Sequence, residues 1–161
     1  ALLSEIRARA NYVLDTSSMK TNELRNRIGK LILNRDVSSD IIINVMSFGY
    51  KNGVPLDADF MFDVRFLDNP YYKTELRSKN GLDDDVANYV FSQAEAEDVI
   101  NNISNSMEQW IPLHSTAGKT SLTIAIGCTG GQHRSVAITE ELSKILSNKF
   151  SSVTAIHRDI K

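Results

Sequence analysis

The stretch from Ser121 to Ser147 constrains this chain more than any other. SLTIAI (Ser121 to Ile126) is short, apolar and rich in β-branched residues, which reads as a buried strand. GCTGGQHRS follows, and from about His133 to Ser147 the residues Val136, Ile138, Leu142, Ile145 and Leu146 lie at helical spacing. A buried strand that turns through paired glycines into a helix is the unit from which parallel sheets are built. Val153 to Ile156 supplies a closing strand, and Ile41 to Phe48 (IIINVMSF) reads as a strand covered on both faces. Phe60 to Phe66 (FMFDVRF) is a further strand, and Asn69-Pro70 forces a turn after it. Asp83 to Ser92 and Glu95 to Trp110 carry helical periodicity, and Pro112 is expected to stop the second of these helices. The fold class that follows is α/β: a largely parallel sheet flanked by helices, with an anion-binding strand-to-helix turn.

Residues 1–33 read as helix, strand and helix: Leu3, Ile6 and Ala10 share one helical face, Tyr12 to Leu14 is a short strand, and Leu24, Ile28 and Leu31 share a second face, with Thr21 as its cap. Asn34 to Asp40 (NRDVSSD) has no apolar period and is the natural linker. Two segments result, 1–35 and 40–161.

Charge and cysteine content exclude several classes. Eighteen Lys and Arg against 20 Asp and Glu give a formal net charge of −2, so the chain is not a globally basic nucleic-acid binder. One cysteine, Cys128, excludes an intramolecular disulfide and any multi-cysteine metal site, and fits a cytoplasmic protein. His114, His133 and His157 are too dispersed to suggest a metal centre, and no cofactor is expected. The apolar runs are too short for a membrane span, and no signal peptide is visible in the first residues. The chain begins with Ala rather than Met, as a piece of a longer protein would.

The chemistry is concentrated in Cys128, Thr129, Gly130, Gly131, Gln132, His133, Arg134 and Ser135. Paired glycines let successive N–H groups converge, and the helix start adds partial positive charge, so the turn is suited to an anion. Arg134 is placed to pair with phosphate or carboxylate, and Thr129 or Ser135 to donate a hydroxyl. The same residues fit C-x5-R-S, the spacing of cysteine phosphatases, in which a thiolate attacks phosphorus. Those enzymes carry His immediately before the Cys, where this chain has Gly127. Cys128 is therefore either a nucleophile or a small residue packed at a strand end, and His133 either a phosphate ligand or a surface residue. From the loop Gly49 to Asp59, Lys51 is a second anion contact or a solvated lysine, and Asp57 and Asp59 are sugar-hydroxyl acceptors or turn formers. Asp63 and Arg65, two residues apart on a strand, form an internal ion pair.

Longer blocks carry a family resemblance. SFGYKNGVPLDADFMFDVRFLDNPYY, then ELR with NGLD, then LTIAIGCTGGQHRSVAITEEL, and finally HRDI together resemble the C-terminal domain of the RapZ (YvcJ-type) family over about Ser47 to Asp159. YVLDTSSMKTNELRNRI resembles the end of the P-loop NTPase domain that begins those proteins, so residues 1–35 are expected to be its remnant; the G-x-x-x-x-G-K-[ST] loop is absent here. The resemblance implies a sensory, partner-binding domain rather than an enzyme. In enterobacterial relatives it senses glucosamine-6-phosphate, binds small RNAs and presents one to RNase E; Gram-positive relatives are linked to cell-wall precursors and UDP-N-acetylglucosamine. It implies that Cys128 to Arg134 hold the ligand's phosphate and that Tyr71 stands where enterobacterial proteins have a pocket His. The expected partners are an amino-sugar phosphate or UDP-sugar, and a small RNA or regulatory protein, with no membrane and with self-association as a homo-oligomer. Without the Lys/Arg-rich tail of RNA-binding relatives, RNA affinity is expected to be weak. The alternative is a cysteine-dependent phosphatase acting on a phosphosugar, with Cys128 as nucleophile and Asp57 or Asp59 as acid.

Overall fold

A computed structural model of the chain describes residues 2–33 and 41–160. It divides into two compact units, residues 1–39 and 40–161. The linker expected at Asn34 to Asp40 lies outside the described residues.

The first unit contains α1 (Leu2–Arg9) and α2 (Thr21–Leu33). No strand forms at residues 12–14, where Tyr12 and Val13 are exposed and no neighbouring strand pairs with them. Thr21 is the first helical residue rather than the cap, because the N–H of Leu24 already donates to the carbonyl of Lys20 at 3.0 Å.

The second unit is built on β1 (Ile42–Gly49), β2 (Phe60–Asp63), β3 (Ser121–Cys128) and β4 (Val153–His157), all parallel in the order β2-β3-β1-β4. Helices α3 (Asp84–Phe91), α4 (Ala94–Thr116) and α5 (Arg134–Ser147) accompany them. Alternation along the strands sets which side is dry. Ile43 and Val45 of β1 and Leu122, Ile124 and Ile126 of β3 form one core with Ile103 and Met107 of α4 and Ala137, Ile138 and Leu142 of α5. Each such fully buried side chain is worth roughly 1.5–3 kcal/mol of transfer free energy. The expectation that β1 is covered on both faces fails among the described residues: Ile42 is 49% exposed and Asn44 and Met46 are half-buried. An unbroken apolar run carries no information on which side neighbouring helices settle.

Two boundaries also differ from expectation. β2 stops at Asp63 because the Arg65 N–H folds back to Asp63 Oδ1 at 2.9 Å and the Leu67 N–H bonds to the Val64 carbonyl, leaving Phe66 61% exposed. α4 continues through Pro112 to Thr116. Trp110 stacks on Phe60 at 5.4 Å and His114 meets the same ring edge-on, so tertiary packing on both sides of the proline holds the last turn helical.

The strand register places the functional edge. Gly49 is paired with Cys128, Asp63 with Gly127, and His157 with Ser47, so all four carboxyl ends lie together. In open α/β sheets this is the edge where ligands bind.

Candidate functional site

Cys128 ends β3 and His133 precedes α5, and the residues between them turn tightly against the end of β1. Gly131 adopts φ +72°, and a Cβ there would sit 2.6 Å from the Gly49 nitrogen and 2.9 Å from the Cβ of Asp159. Both the left-handed backbone and the close approach demand glycine. Gly49 is the other half of the contact, since its own Cβ would fall 2.5 Å from the Gly130 carbonyl carbon. The Lys51 N–H donates to the Thr129 carbonyl at 3.2 Å, which fastens the start of the β1 loop to the turn.

A cleft of about 430 Å³ opens over this turn, and its lining joins Cys128, Thr129, Gly130, Gln132, His133 and Arg134 to Lys51, Asn69, Tyr71 and Tyr72, and to Arg77, Ser78 and Lys79. Four of these residues are basic side chains and none is a carboxylate. Of the residues singled out from sequence, Gly131 and Ser135 stand behind this surface. Asp59 is not brought to it. The loop after β1 runs back along the sheet, so its first residues reach the cleft, whereas Asp59 lies just before β2, bonded to Lys119 and accepting the Thr123 N–H at 2.9 Å.

Arg134 is buried and largely engaged in structure. Its Nη1 donates to the carbonyls of Arg65 (2.9 Å) and Leu67 (2.7 Å), and its Nη2 to Thr129 Oγ1 (3.2 Å). Among the described residues its Nε has no partner, and neither has Nε2 of His133, which is only 8% exposed. A buried polar atom left unpaired costs roughly 1–3 kcal/mol. Burial holds the His133 imidazole below its ordinary pKa, against the backbone of Leu76, Lys79 and Arg77, which pulls it upward.

Cys128 Sγ lies 3.1 Å from Ser135 Oγ and accepts the Gly131 N–H at 3.2 Å. Burial pushes the thiol up, but these bonds and the Arg134 charge outweigh it and hold Cys128 below the usual thiol value. One N–H of the turn is thus already committed to sulfur.

Other residues that build the site were not singled out from sequence. Asp159 accepts the Gly49 N–H at 2.7 Å, and its carbonyl accepts from Gln132 Nε2. Arg158 pairs with Asp159 and donates to the Gly53 carbonyl at 2.8 Å. Burial would raise the Asp159 carboxyl, but Arg158, the Gly49 N–H and Asn52 hold it below the ordinary carboxylate value. Ser47 Oγ, His157 and Glu140 form a chain with two 2.8 Å contacts that ties β1, β4 and α5 together. Gly81 donates its N–H to the Gln132 carbonyl at 2.8 Å and so closes the far side of the turn. The signal available for Asp159 was its position just beyond a strand's carboxyl end. Asp63 and Arg65 do pair, at 2.6 Å, but on the surface, with Arg65 over the Tyr50 ring.

A family model for the RapZ C-terminal domain matches residues 41–161. The chain is 46% identical over 160 residues to a nucleotide-binding protein of Lysinibacillus sphaericus, covering 99% of this chain and 53% of that protein. It is 48% identical over 158 residues to one of Staphylococcus epidermidis (98% and 52%), and 45% identical over 161 residues to one of Bacillus thuringiensis (100% and 54%). The chain spans about half the length of the curated relatives it matches.

Proposed function

Given that this chain belongs to the RapZ C-terminal domain family, we propose that residues 41–160 form a ligand-sensing domain that binds a phosphorylated amino sugar or a UDP-sugar in the cleft over the β3–α5 turn. The observation that carries this reading is a cleft over the glycine turn at the start of α5 that is lined by four basic side chains and by no carboxylate. An anionic ligand supplies the negative charge that the cleft lining lacks, and the helix start favours it. Naming of the relatives as nucleotide-binding proteins agrees with a phosphate-bearing ligand. Occupancy then shifts the population of a conformation read by an RNA or protein partner in amino-sugar and cell-envelope metabolism, within a cytoplasmic homo-oligomer and without turnover.

Calorimetric titration with glucosamine-6-phosphate and UDP-N-acetylglucosamine tests the reading. Arg134→Ala is a poor probe, because it strands the Arg65 and Leu67 carbonyls and destabilises the fold by itself. Lys51→Met is better. Lys51 is exposed, and the change is expected to weaken binding by roughly three- to tenfold through loss of one ligand contact. Unchanged affinity would place the ligand elsewhere.

A second reading, the phosphatase, draws on the Cys128–Ser135 contact and the lowered thiol pKa. Against it, the cleft offers no carboxylate to protonate a leaving oxygen. Release of inorganic phosphate from glucosamine-6-phosphate, abolished in Cys128→Ser, would favour it.

A further inference from the structure

We propose that a groove among α3, α4 and α5 docks a cationic, amphipathic segment of a partner protein. The groove shares no lining residue with the basic cleft over the β3–α5 turn, and its chemistry is the opposite. Helical spacing builds it. Glu97, Ile100 and Asn101 stand three and four residues apart and so share one face of α4, as Glu141 and Ile145 share one face of α5. Phe91, the last residue of α3, joins them, and the six line a groove of about 420 Å³. Ile100 is only 4% exposed, and Phe91 and Ile145 are half-buried against the same core, so three apolar side chains are held in place by packing.

Glu97 and Glu141 are the charged groups of this lining, and the protein's own cations do little to neutralise them. Glu97 is exposed and forms no ion pair among the described residues. Glu141 has only Lys144, 3.8 Å away with its side chain 78% exposed, a solvated pair of small net worth. Lys149, the other lysine at this end of the chain, is drawn to Glu108. Glu95 and Asp98, exposed on the first turns of α4, extend the negative charge.

Apolar side chains beside carboxylates match a segment that carries leucine-like residues together with Arg or Lys, whose aliphatic stems lie on apolar surface while their charged heads reach carboxylates. Grooves between helices take amphipathic segments in this way. A metal ion fits poorly, since no group of three His, Cys, Asp or Glu among the described residues is placed to hold one. A nucleic acid meets repulsion from the same carboxylates. The groove is also linked to the anion cleft by one helix: α5 begins at Arg134, a cleft residue, and reaches Glu141 about two turns later.

The test is fluorescence anisotropy of the whole chain with three labelled peptides of equal length: an amphipathic leucine–arginine peptide, a matched leucine–glutamate peptide, and an arginine–serine peptide that keeps the charge without the apolar face. The first is expected to bind on the order of tenfold more tightly than either of the others. Glu97→Gln and Glu141→Gln, each checked for unchanged thermal unfolding, are expected to weaken it by roughly three- to tenfold. A control that removes two exposed carboxylates outside the groove, Glu75→Gln with Asp84→Asn, should leave it within about twofold. Equal binding of the arginine–serine peptide, or a control variant that weakens binding as much as Glu97→Gln, reduces the effect to general charge and overturns the proposal. Displacement of the peptide by spermine at comparable concentration, or by a labelled RNA, overturns it in favour of a small amine or a nucleic acid. Absence of binding by all three peptides overturns it outright.

Discussion

At the level of single residues, His133 and Arg134 show how one cleft serves structure and recognition together. Arg134 looks from sequence like a ligand residue, yet its Nη1 holds two carbonyls of the chain beyond β2 and its Nη2 is engaged by Thr129. Its position directly after His133 could be read from the sequence, whereas its acceptors, 67 and 69 residues away along the chain, could not. His133 yields a pH prediction. Its folded pKa is depressed by burial, so between that value and the unfolded value near 6.5 the unfolded chain binds more protons. Its contribution to stability is complete above pH about 6.5 and is lost as pH falls through that window. Urea unfolding from pH 7.5 to 5 should show a loss of stability that is smaller in His133→Gln. An identical pH slope in the two proteins would mean that the imidazole is not held neutral.

The elements themselves were legible wherever periodicity speaks for itself. β1, β3, β4 and α5 match the sequence reading to within two residues, because a two- or three-and-a-half-residue repeat is a local signal. Two of the misses are places where a distant partner decides. Pro112 stays within α4 because Phe60 grips the helix on either side of it, and Tyr12 to Leu14 remain unpaired for lack of a neighbour. The turn from Cys128 to Ser135 was legible because its residues are contiguous. Arg77, Gly81 and Asp159 were not, because contacts reaching across the chain bring them in. Glycines test this at element scale. Gly53 and Gly131 both have positive φ, at 85° and 72°, but a Cβ on Gly53 meets nothing within 4 Å, whereas one on Gly131 strikes the end of β1. Gly53→Ala is expected to cost only the backbone strain of φ 85°, ψ 157°, a conformation nearly reserved to glycine, roughly 1–3 kcal/mol, and to leave ligand affinity unchanged. Gly131→Ala adds the collision and should lower stability by several kcal/mol or, if the turn yields instead, abolish binding. Equal effects of the two substitutions, measured by thermal unfolding and calorimetry, would show that the packing of the turn against β1 is not tight.

For the whole molecule, the contrast is between a chain of net charge −2 and a cleft lined by basic side chains with no carboxylate. Attraction of an anion is therefore local, set by a few groups at the carboxyl edge of the sheet rather than by the overall field. Raising ionic strength from about 0.05 to 0.5 M should weaken binding of a phosphate ligand by roughly three- to tenfold, as screening shortens from over 10 Å to a few ångströms. An affinity that does not change with salt would assign the binding energy to Tyr71 and Tyr72 instead. The clamp made by Arg158 and Asp159 also sets a time order. During synthesis the turn at Gln132 leaves the ribosome 27 residues ahead of the carbonyl that secures its side chain, and Gly49 waits 110 residues for the carboxylate that accepts its N–H. A nascent chain can complete β1, β2, β3 and α5 before its binding edge is locked, so competence for ligand waits for the residues just past β4.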